Sequence, residues 1–328
     1  MSAEDRPRRS RFKSVARITA IGFVPALMAL LGGIGWIGSE RAIHPAARRY
    51  ATTLADYPDL DSREIGFQSR TRVRIAATFF PGVRHAVIVL SHGYGDNQAQ
   101  MLPYAEFLHR AGYSVFTYDM RNRGRSGGEA VTLGALEYLD LISAVDYLTT
   151  RADVDRGEIG ALGVSLGGST TLLAAANDPR IKAVVDDSGF SDAPGVIASS
   201  FEHFIGLPAF PFASITTAIV AWRIGVDVKR IRPVDVVARI APRPLLIIQC
   251  MGDGVVPPVN SERNFKAAGD PKSIWRIPAG GHLDGYAVAR QEYERRVIEF
   301  FDKSLAAEVR VSRPAQYRLP GSLVHHEK

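Results

Sequence analysis

The chain has 328 residues, 46% of them hydrophobic, and a formal net charge of +6. That charge sits at the ends: residues 1–17 carry +4 and residues 310–328 carry +3, leaving −1 on the body, so no basic face speaks for nucleic acid. The length allows a full buried core, and the single cysteine, Cys250, excludes an intrachain disulfide.

Residues 1–17 form a polar, basic tail. Ile18 to Ile37 then runs without a charge, ITAIGFVPALMALLGGIGWI. At about 1.5 Å per residue, a helix of that length covers a hydrocarbon layer about 30 Å thick. Pro25 and the glycines are tolerable in a membrane helix, and Trp36 suits the interface. Residues 18–38 are therefore expected to be an uncleaved signal-anchor. Arg6, Arg8, Arg9, Arg11, Lys13 and Arg17 favour an inside N-terminus, which places the rest of the chain on the non-cytoplasmic side. The rival is a cleaved signal peptide and a secreted protein. The apolar run exceeds the usual ~7–15 residues of such a segment, and no A-x-A site follows it. A buried core helix would show a polar face, and this run shows none.

Residues 39–62 read as a connector with some helical character. Glu64–Gln68 and Val73–Phe80 read as an antiparallel hairpin closed by Pro81-Gly82. Strand and helix then alternate. Ala86–Leu90, Ser114–Tyr118, Glu158–Leu162, Ala183–Asp187, Leu245–Gln249 and Ser273–Ile277 are short apolar strands. Gln98–Arg110, Leu133–Thr150, Ser169–Ala176, Ser261–Ala268 and Tyr286–Leu305 carry helical patterns. This rhythm predicts an α/β body over 63–308, with a mostly parallel central sheet and helices on both faces. The body is expected to need nothing from the preceding helix. Residues 192–240 break the rhythm with an apolar, aromatic insertion that includes Phe201, Phe204, Phe210, Phe212 and Trp222. It is expected to form a helical cap. Residues 309–328, with Pro314, Pro320 and Gly321, read as a flexible tail.

The chemistry centres on Gly163-Val164-Ser165-Leu166-Gly167-Gly168, set between a strand and a helix. Strand, G-x-S-x-G, helix is the setting of a nucleophile elbow. The turn is tight, so Gly163 and Gly167 flank Ser165, which is held strained with its hydroxyl exposed. A second copy, Gly124-Arg125-Ser126-Gly127-Gly128, lies past its strand, precedes no helix and reads as a polar loop.

A serine hydroxyl needs a base within hydrogen-bond reach. Of eight histidines, His92 and His282 lie in loops that follow strands. Only His282 fits the order nucleophile, acid, base that accompanies this elbow. The orienting acid is expected at Asp253, in the loop after Leu245–Gln249. Asp186, Asp187 and Asp284 are the alternatives. Oxyanion donors are expected at the N–H of Leu166, after the nucleophile, and of Tyr94, in Ser91-His-Gly-Tyr-Gly-Asp96. His92 then reads as a residue that fixes this loop.

From about Glu64 to Lys303 the chain resembles the α/β-hydrolase superfamily. It is most similar to the branch of serine aminopeptidase-like and monoacylglycerol-lipase-like proteins. The resemblance rests on Ser91-His-Gly-Tyr-Gly-Asp-Asn97, Asp119-Met-Arg-Asn-Arg-Gly-Arg-Ser126, the Ser165 elbow, Asp253-Gly-Val-Val-Pro257 and Gly281-His282. One departure is Gln249-Cys250, where that family usually has His-Gly before the acid loop. The resemblance implies an α/β-hydrolase fold and a Ser-His-Asp triad. The sequence shows no metal cluster, P-loop or dinucleotide fingerprint, so no cofactor or metal is expected.

Together with the apolar cap and anchor, it leads to the expectation of a serine hydrolase for small-molecule or lipid-like esters or thioesters with an apolar acyl part. It would attach to the membrane through its N-terminal helix. A peptidase using the same triad would need an acid to hold a substrate amine, and Glu202 is the candidate. A non-catalytic lipid-binding protein of the same fold is the rival from another class.

Overall fold

The computed structural model describes residues 6–48, 50 and 53–305. The chain opens with a long helix, α1 (Arg6–Ile43), and a 3₁₀ turn at Leu54–Asp56. There follow β1 (Arg63–Gln68), β2 (Arg74–Phe80), β3 (Val87–Ser91), α2 (Leu102–Arg110), β4 (Ser114–Tyr118), α3 (Glu137–Leu148), β5 (Ile159–Val164), α4 (Leu166–Asn177) and β6 (Ile181–Asp187). The cap contributes α5 (Ala193–Ser200), a π turn at Phe201–Ile205, α6 (Ala209–Ile224) and α7 (Pro233–Val236). The chain returns to the sheet with β7 (Leu245–Cys250), α8 (Val259–Ala267), β8 (Lys272–Ile277), α9 (Gly285–Val288) and α10 (Arg290–Ser304).

The strands form one sheet in the order β1-β2-β4-β3-β5-β6-β7-β8. β2 runs antiparallel to both β1 and β4, and the remaining neighbours are parallel. Alternate residues of β3 explain its unbroken apolar run. Val87 and Val89 face a core shared with α3 and α4, while Ile88 and Leu90 face one shared with α2 and α10.

Three expectations change. The β1–β2 hairpin is closed by Ser69–Arg72, where Arg72 has φ 63° and the Ser69 N–H donates to the Val73 carbonyl at 2.8 Å. Pro81-Gly82 instead ends β2, in contact so close that a Cβ on Gly82 would meet the Tyr113 carbonyl oxygen at 2.3 Å. Helix α3 starts at Glu137, not Leu133, because Leu133 (φ 55°) and Gly134 (φ 101°) make a turn first. The buried Glu137 carboxylate accepts the N–H groups of Thr132 and Gly134 and closes that turn. Third, the core does not begin at Glu64. Ile43, the last residue of α1, is buried against the α3 side of the sheet, and Leu60 is buried on the α2 side.

Helix α1 is long and apolar enough over Phe23–Ile43 to cross a membrane, with mean hydropathy 1.4, and Phe23, Val24, Leu27, Met28 and Leu30 are exposed on it. A signal sequence has the same character. Its C-terminal part packs on α6 of the cap through Gly35 and Gly38. A Cβ at these positions would meet Ile215 at 2.6 Å and Thr216 at 2.8 Å. Trp36 lies 6.4 Å from Trp222, and the Arg223 guanidinium sits over the Trp36 ring. Residues 1–5 of the basic tail and the tail expected over 309–328 lie outside the described residues.

Inside the body, Arg121 and Asp140 form a buried ion pair with two side-chain bonds, at 2.9 and 2.6 Å. Burial pushes the Asp140 carboxyl up to about 6, against the pull of Arg121. Such a pair anchors the loop after β4 onto α3. Removing one partner of a pair like this costs about 3–5 kcal/mol, because the other charge is left buried alone.

Candidate active site

Ser165 occupies the single-residue turn between β5 and α4, at φ 55° and ψ −119°. A non-glycine residue there is strained, and the neighbours show what holds it. A Cβ on Gly163 would come 2.1 Å from the Gly167 carbonyl oxygen, and one on Gly167 would come 2.1 Å from the Ser91 carbonyl oxygen. Both positions therefore require glycine. The Ser165 N–H donates to the Asp187 carbonyl at 2.8 Å, which ties the turn to β6.

The hydroxyl of Ser165 meets His282 Nε2 at 2.8 Å, and His282 Nδ1 meets Asp253 Oδ2 at 2.7 Å. A carboxylate only accepts, so Nδ1 carries the proton and Nε2 is free to accept from the serine. Ser165 and Asp253 are buried. The Asp253 carboxylate is fixed on its other oxygen by the N–H groups of Val255 and Val256, at 2.9 and 2.8 Å. The Gln249 amide donates to Asp253 Oδ2 at 3.2 Å and to the Cys250 carbonyl, while its oxygen accepts from Ser261. The Gln249-Cys250 departure thus has a local purpose that only the folded loop reveals. The glutamine spans the acid loop, and Cys250 is small enough to pack under Gly280 and Gly285 of the histidine loop.

The alternative acids bond elsewhere. Asp187 accepts from Tyr293 and Ser188, both at 2.8 Å; Asp186 accepts the Gly189 N–H at 3.0 Å; Asp284 accepts the Gly281 N–H at 2.8 Å. Burial pushes the Asp186 carboxyl up to about 8, with repulsion from Asp187 adding to it, and burial also raises Asp187, to about 6. The folded state then holds this proton more tightly than an unfolded chain, whose Asp titrates near ~3.9. The stabilisation is complete below that value and is lost as pH rises through about 8. Asp186→Asn keeps the shape without the ionisation. We expect the wild-type Tm to fall between pH 5 and pH 8 by more than the variant's, and parallel Tm curves would count against a protonated Asp186.

His92 is buried. Its Nδ1 donates to the Gly93 carbonyl at 2.8 Å, and its Nε2 accepts the Met120 N–H at 3.0 Å. Burial lowers its pKa, which suits a neutral ring that joins two loops. Ser126 donates to the Asp119 carbonyl at 2.6 Å and accepts the Ala76 N–H at 2.9 Å, so its hydroxyl is consumed by loop structure.

The two N–H groups expected to serve as oxyanion donors have no acceptor among the described residues. Leu166 is the first residue of α4, where N–H groups have no intrahelical partner. Among the described residues, nothing accepts the Tyr94 N–H. That of Gly93 is already given to Gln100 at 2.6 Å. The Tyr94 side chain lies against the last turn of α1, its hydroxyl donating to the Arg41 carbonyl. No pattern in the sequence pointed to this contact, because residues 41 and 94 share no motif.

The cap departs from a simple aromatic lining. Phe201 is buried, but Phe204, Phe210 and Trp222 are 68%, 80% and 74% exposed. A cavity of about 540 Å³ lies between α5 and α6, lined by residues that include Ala198, Ala213, Thr217 and Lys229. Neither Ser165 nor His282 lines it. Glu202 is exposed on the π turn.

Residues 77–200 match the family of X-Pro dipeptidyl-peptidases (S15 family), a span that contains Ser165 and stops before Asp253 and His282. The chain is 29% identical over 217 residues to YqkD of Bacillus subtilis, covering 66% of this chain and 70% of that one. It is 26% identical over 253 residues to the alpha/beta hydrolase domain-containing protein WAV2 of Arabidopsis thaliana, covering 73% and 78%. Among solved structures, the Pyrococcus furiosus esterase Pf2001 is similar with a TM-score of 0.68 at 22% identity, over 80% of this chain and 98% of the esterase. Taken with the sheet order and the strained serine turn, these likenesses make the fold of this chain that of the α/β-hydrolase superfamily.

Proposed function

We propose that the protein is a serine hydrolase that cleaves carboxylic esters or thioesters with an apolar acyl part. Ser165 Oγ attacks the carbonyl carbon and passes its proton to His282 Nε2. Asp253 holds the imidazole in the required tautomer and stabilises the imidazolium. The N–H groups of Leu166 and Tyr94 receive the oxyanion. His282 returns the proton to the leaving oxygen or sulfur as its bond to the carbonyl carbon breaks. Water then repeats the sequence on the acyl-enzyme.

The observation that carries this reading is the unbroken Ser165–His282–Asp253 chain, 2.8 and 2.7 Å, at a serine held at positive φ. A binding protein places no demand on those positions together. The apolar helices of the cap and the exposed apolar face of α1 support a lipophilic substrate and attachment to a membrane, and the basic residues ahead of the apolar run favour a catalytic body on the non-cytoplasmic side.

The match to X-Pro dipeptidyl-peptidases favours one second reading, a peptidase with the same triad. The purified full chain should therefore be labelled with a fluorophosphonate and assayed on p-nitrophenyl esters of graded acyl length and on X-Pro p-nitroanilides. We expect labelling, ester turnover and faster cleavage of longer acyl chains. Anilide turnover above ester turnover would replace the esterase by a peptidase. A chain that neither labels nor cleaves is a binding protein.

A further inference from the structure

Between the end of α1 and the first strand, the chain does not simply lead into the body. The last turn of α1 and the chain after it lie along the Gly93–Asp96 loop and are bonded to it through Arg41, Arg48 and Tyr50. The Tyr94 hydroxyl donates to the Arg41 carbonyl. The Arg48 N–H donates to the Gly95 carbonyl at 3.2 Å, and the Arg48 guanidinium lies 3.6 Å from Asp96. The Tyr50 hydroxyl donates to Asp96 Oδ1 at 2.5 Å. From the other side, Arg123 donates to the Pro45 carbonyl at 2.9 Å and the Val131 N–H to the Ile43 carbonyl at 2.9 Å, which hold the connector in place.

These contacts continue inward. Asp96 is 3% exposed, so its carboxylate depends on the donors that reach it. Tyr50 donates to one of its oxygens, and the Gln100 amide donates to the other at 2.8 Å. The same Gln100 side chain accepts the Gly93 N–H at 2.6 Å, one residue before Tyr94. The Asp96 N–H in turn reaches the Gly93 carbonyl at 3.3 Å. A hydrogen-bonded path therefore runs from Tyr50 through Asp96 and Gln100 to the peptide next to the open Tyr94 N–H.

We propose that the end of α1 and the chain after it, through Arg41, Arg48 and Tyr50, set the oxyanion loop, with Tyr50 as the positioning residue that acts through Asp96. This rests on the serine-hydrolase reading above. The physical reason is that an oxyanion donor works only when held at its geometry before the charge develops, and a displacement of about 1 Å is enough to lose much of its effect. The segment that continues the apolar helix is thereby part of the catalytic machinery rather than a tether, and a chain beginning at Glu64 would lack it.

The test uses the full chain in detergent micelles, with Tyr50→Phe compared to wild type. The readouts are kcat and KM on p-nitrophenyl acetate, thermal unfolding, and inhibition by an alkyl trifluoromethyl ketone, whose adduct with the serine carries the oxyanion. We expect kcat to fall about tenfold and the inhibition constant to rise about tenfold, with KM changed by less than about twofold. Thr53→Ala, whose hydroxyl donates to Asp56 further along the connector, should leave both unchanged. Where Tyr50→Phe does not fold, Tyr94→Phe removes the bond to Arg41 without touching Asp96, and the same parallel loss is expected. Values of kcat and inhibition within about twofold of wild type overturn the proposal, as does a fall in kcat with inhibition unchanged. A wild type that neither labels with fluorophosphonate nor turns over esters removes the serine-hydrolase reading itself, and this one with it.

Discussion

Ser165→Ala is expected to lower kcat on p-nitrophenyl esters by about 10⁴-fold or more and to abolish fluorophosphonate labelling. The substitution removes the atom that forms the acyl bond, while the methyl group fits where the buried hydroxymethyl sat. The strained turn is kept, because Gly163, Gly167 and the Asp187 carbonyl still define it. What remains is the oxyanion site and substrate binding. Far-UV circular dichroism and Tm should stay close to wild type. Ser126→Ala is the contrast, since that hydroxyl is spent on Asp119 and Ala76, and it should keep both labelling and turnover. Activity lost with Ser126→Ala and kept with Ser165→Ala would place the nucleophile on the wrong loop.

The second large effect is expected at the acid and base. Asp253→Asn should reduce kcat by about 10⁴-fold with little change in KM. An amide turns an acceptor into a donor, and its NH₂ group opposes the Nδ1 proton of His282. The imidazole then takes the other tautomer, with its proton on Nε2, 2.8 Å from the serine oxygen it must deprotonate. His282→Ala should cost as much or more. Combined with Ser165→Ala, neither should add appreciably, because the three residues act as a unit. Additive losses, or near-wild-type turnover in Asp253→Asn, would move the acid role to Asp187, the buried carboxyl at the end of the neighbouring strand.

What the sequence by itself determined is whatever is local. The βα alternation follows from side-chain periodicity, and β4 is read to the residue because its β-branched and aromatic residues favour a strand that is buried along its whole length. The turn at Ser165 is legible because its two glycines are required by backbone contacts within the turn and just beside it. Asp253 and His282 were candidates by their loops and chain order, but three other aspartates competed. Only the fold decides which carboxylate meets the imidazole, 29 residues away in sequence.

The same holds for Gln249, whose amide finds Asp253 and Ser261 after β7 and α8 have packed. The β1–β2 turn was misplaced because Pro81-Gly82 is a strong turn signal, whereas Ser69–Arg72 is built from side-chain hydrogen bonds and a left-handed arginine. The outward-facing Phe204 and Trp222 are indistinguishable by composition from Phe210, which lines the cap cavity. The contacts of the chain around the end of α1 are the least legible in the sequence. Arg41, Arg48 and Tyr50 carry no pattern, and their partners on the Gly93–Asp96 loop lie about half a hundred residues on, with 53 separating Arg41 from Tyr94. Hydrogen bonds at that separation have no periodicity in the sequence. They exist only because the fold packs the end of α1 beside the loop that follows β3.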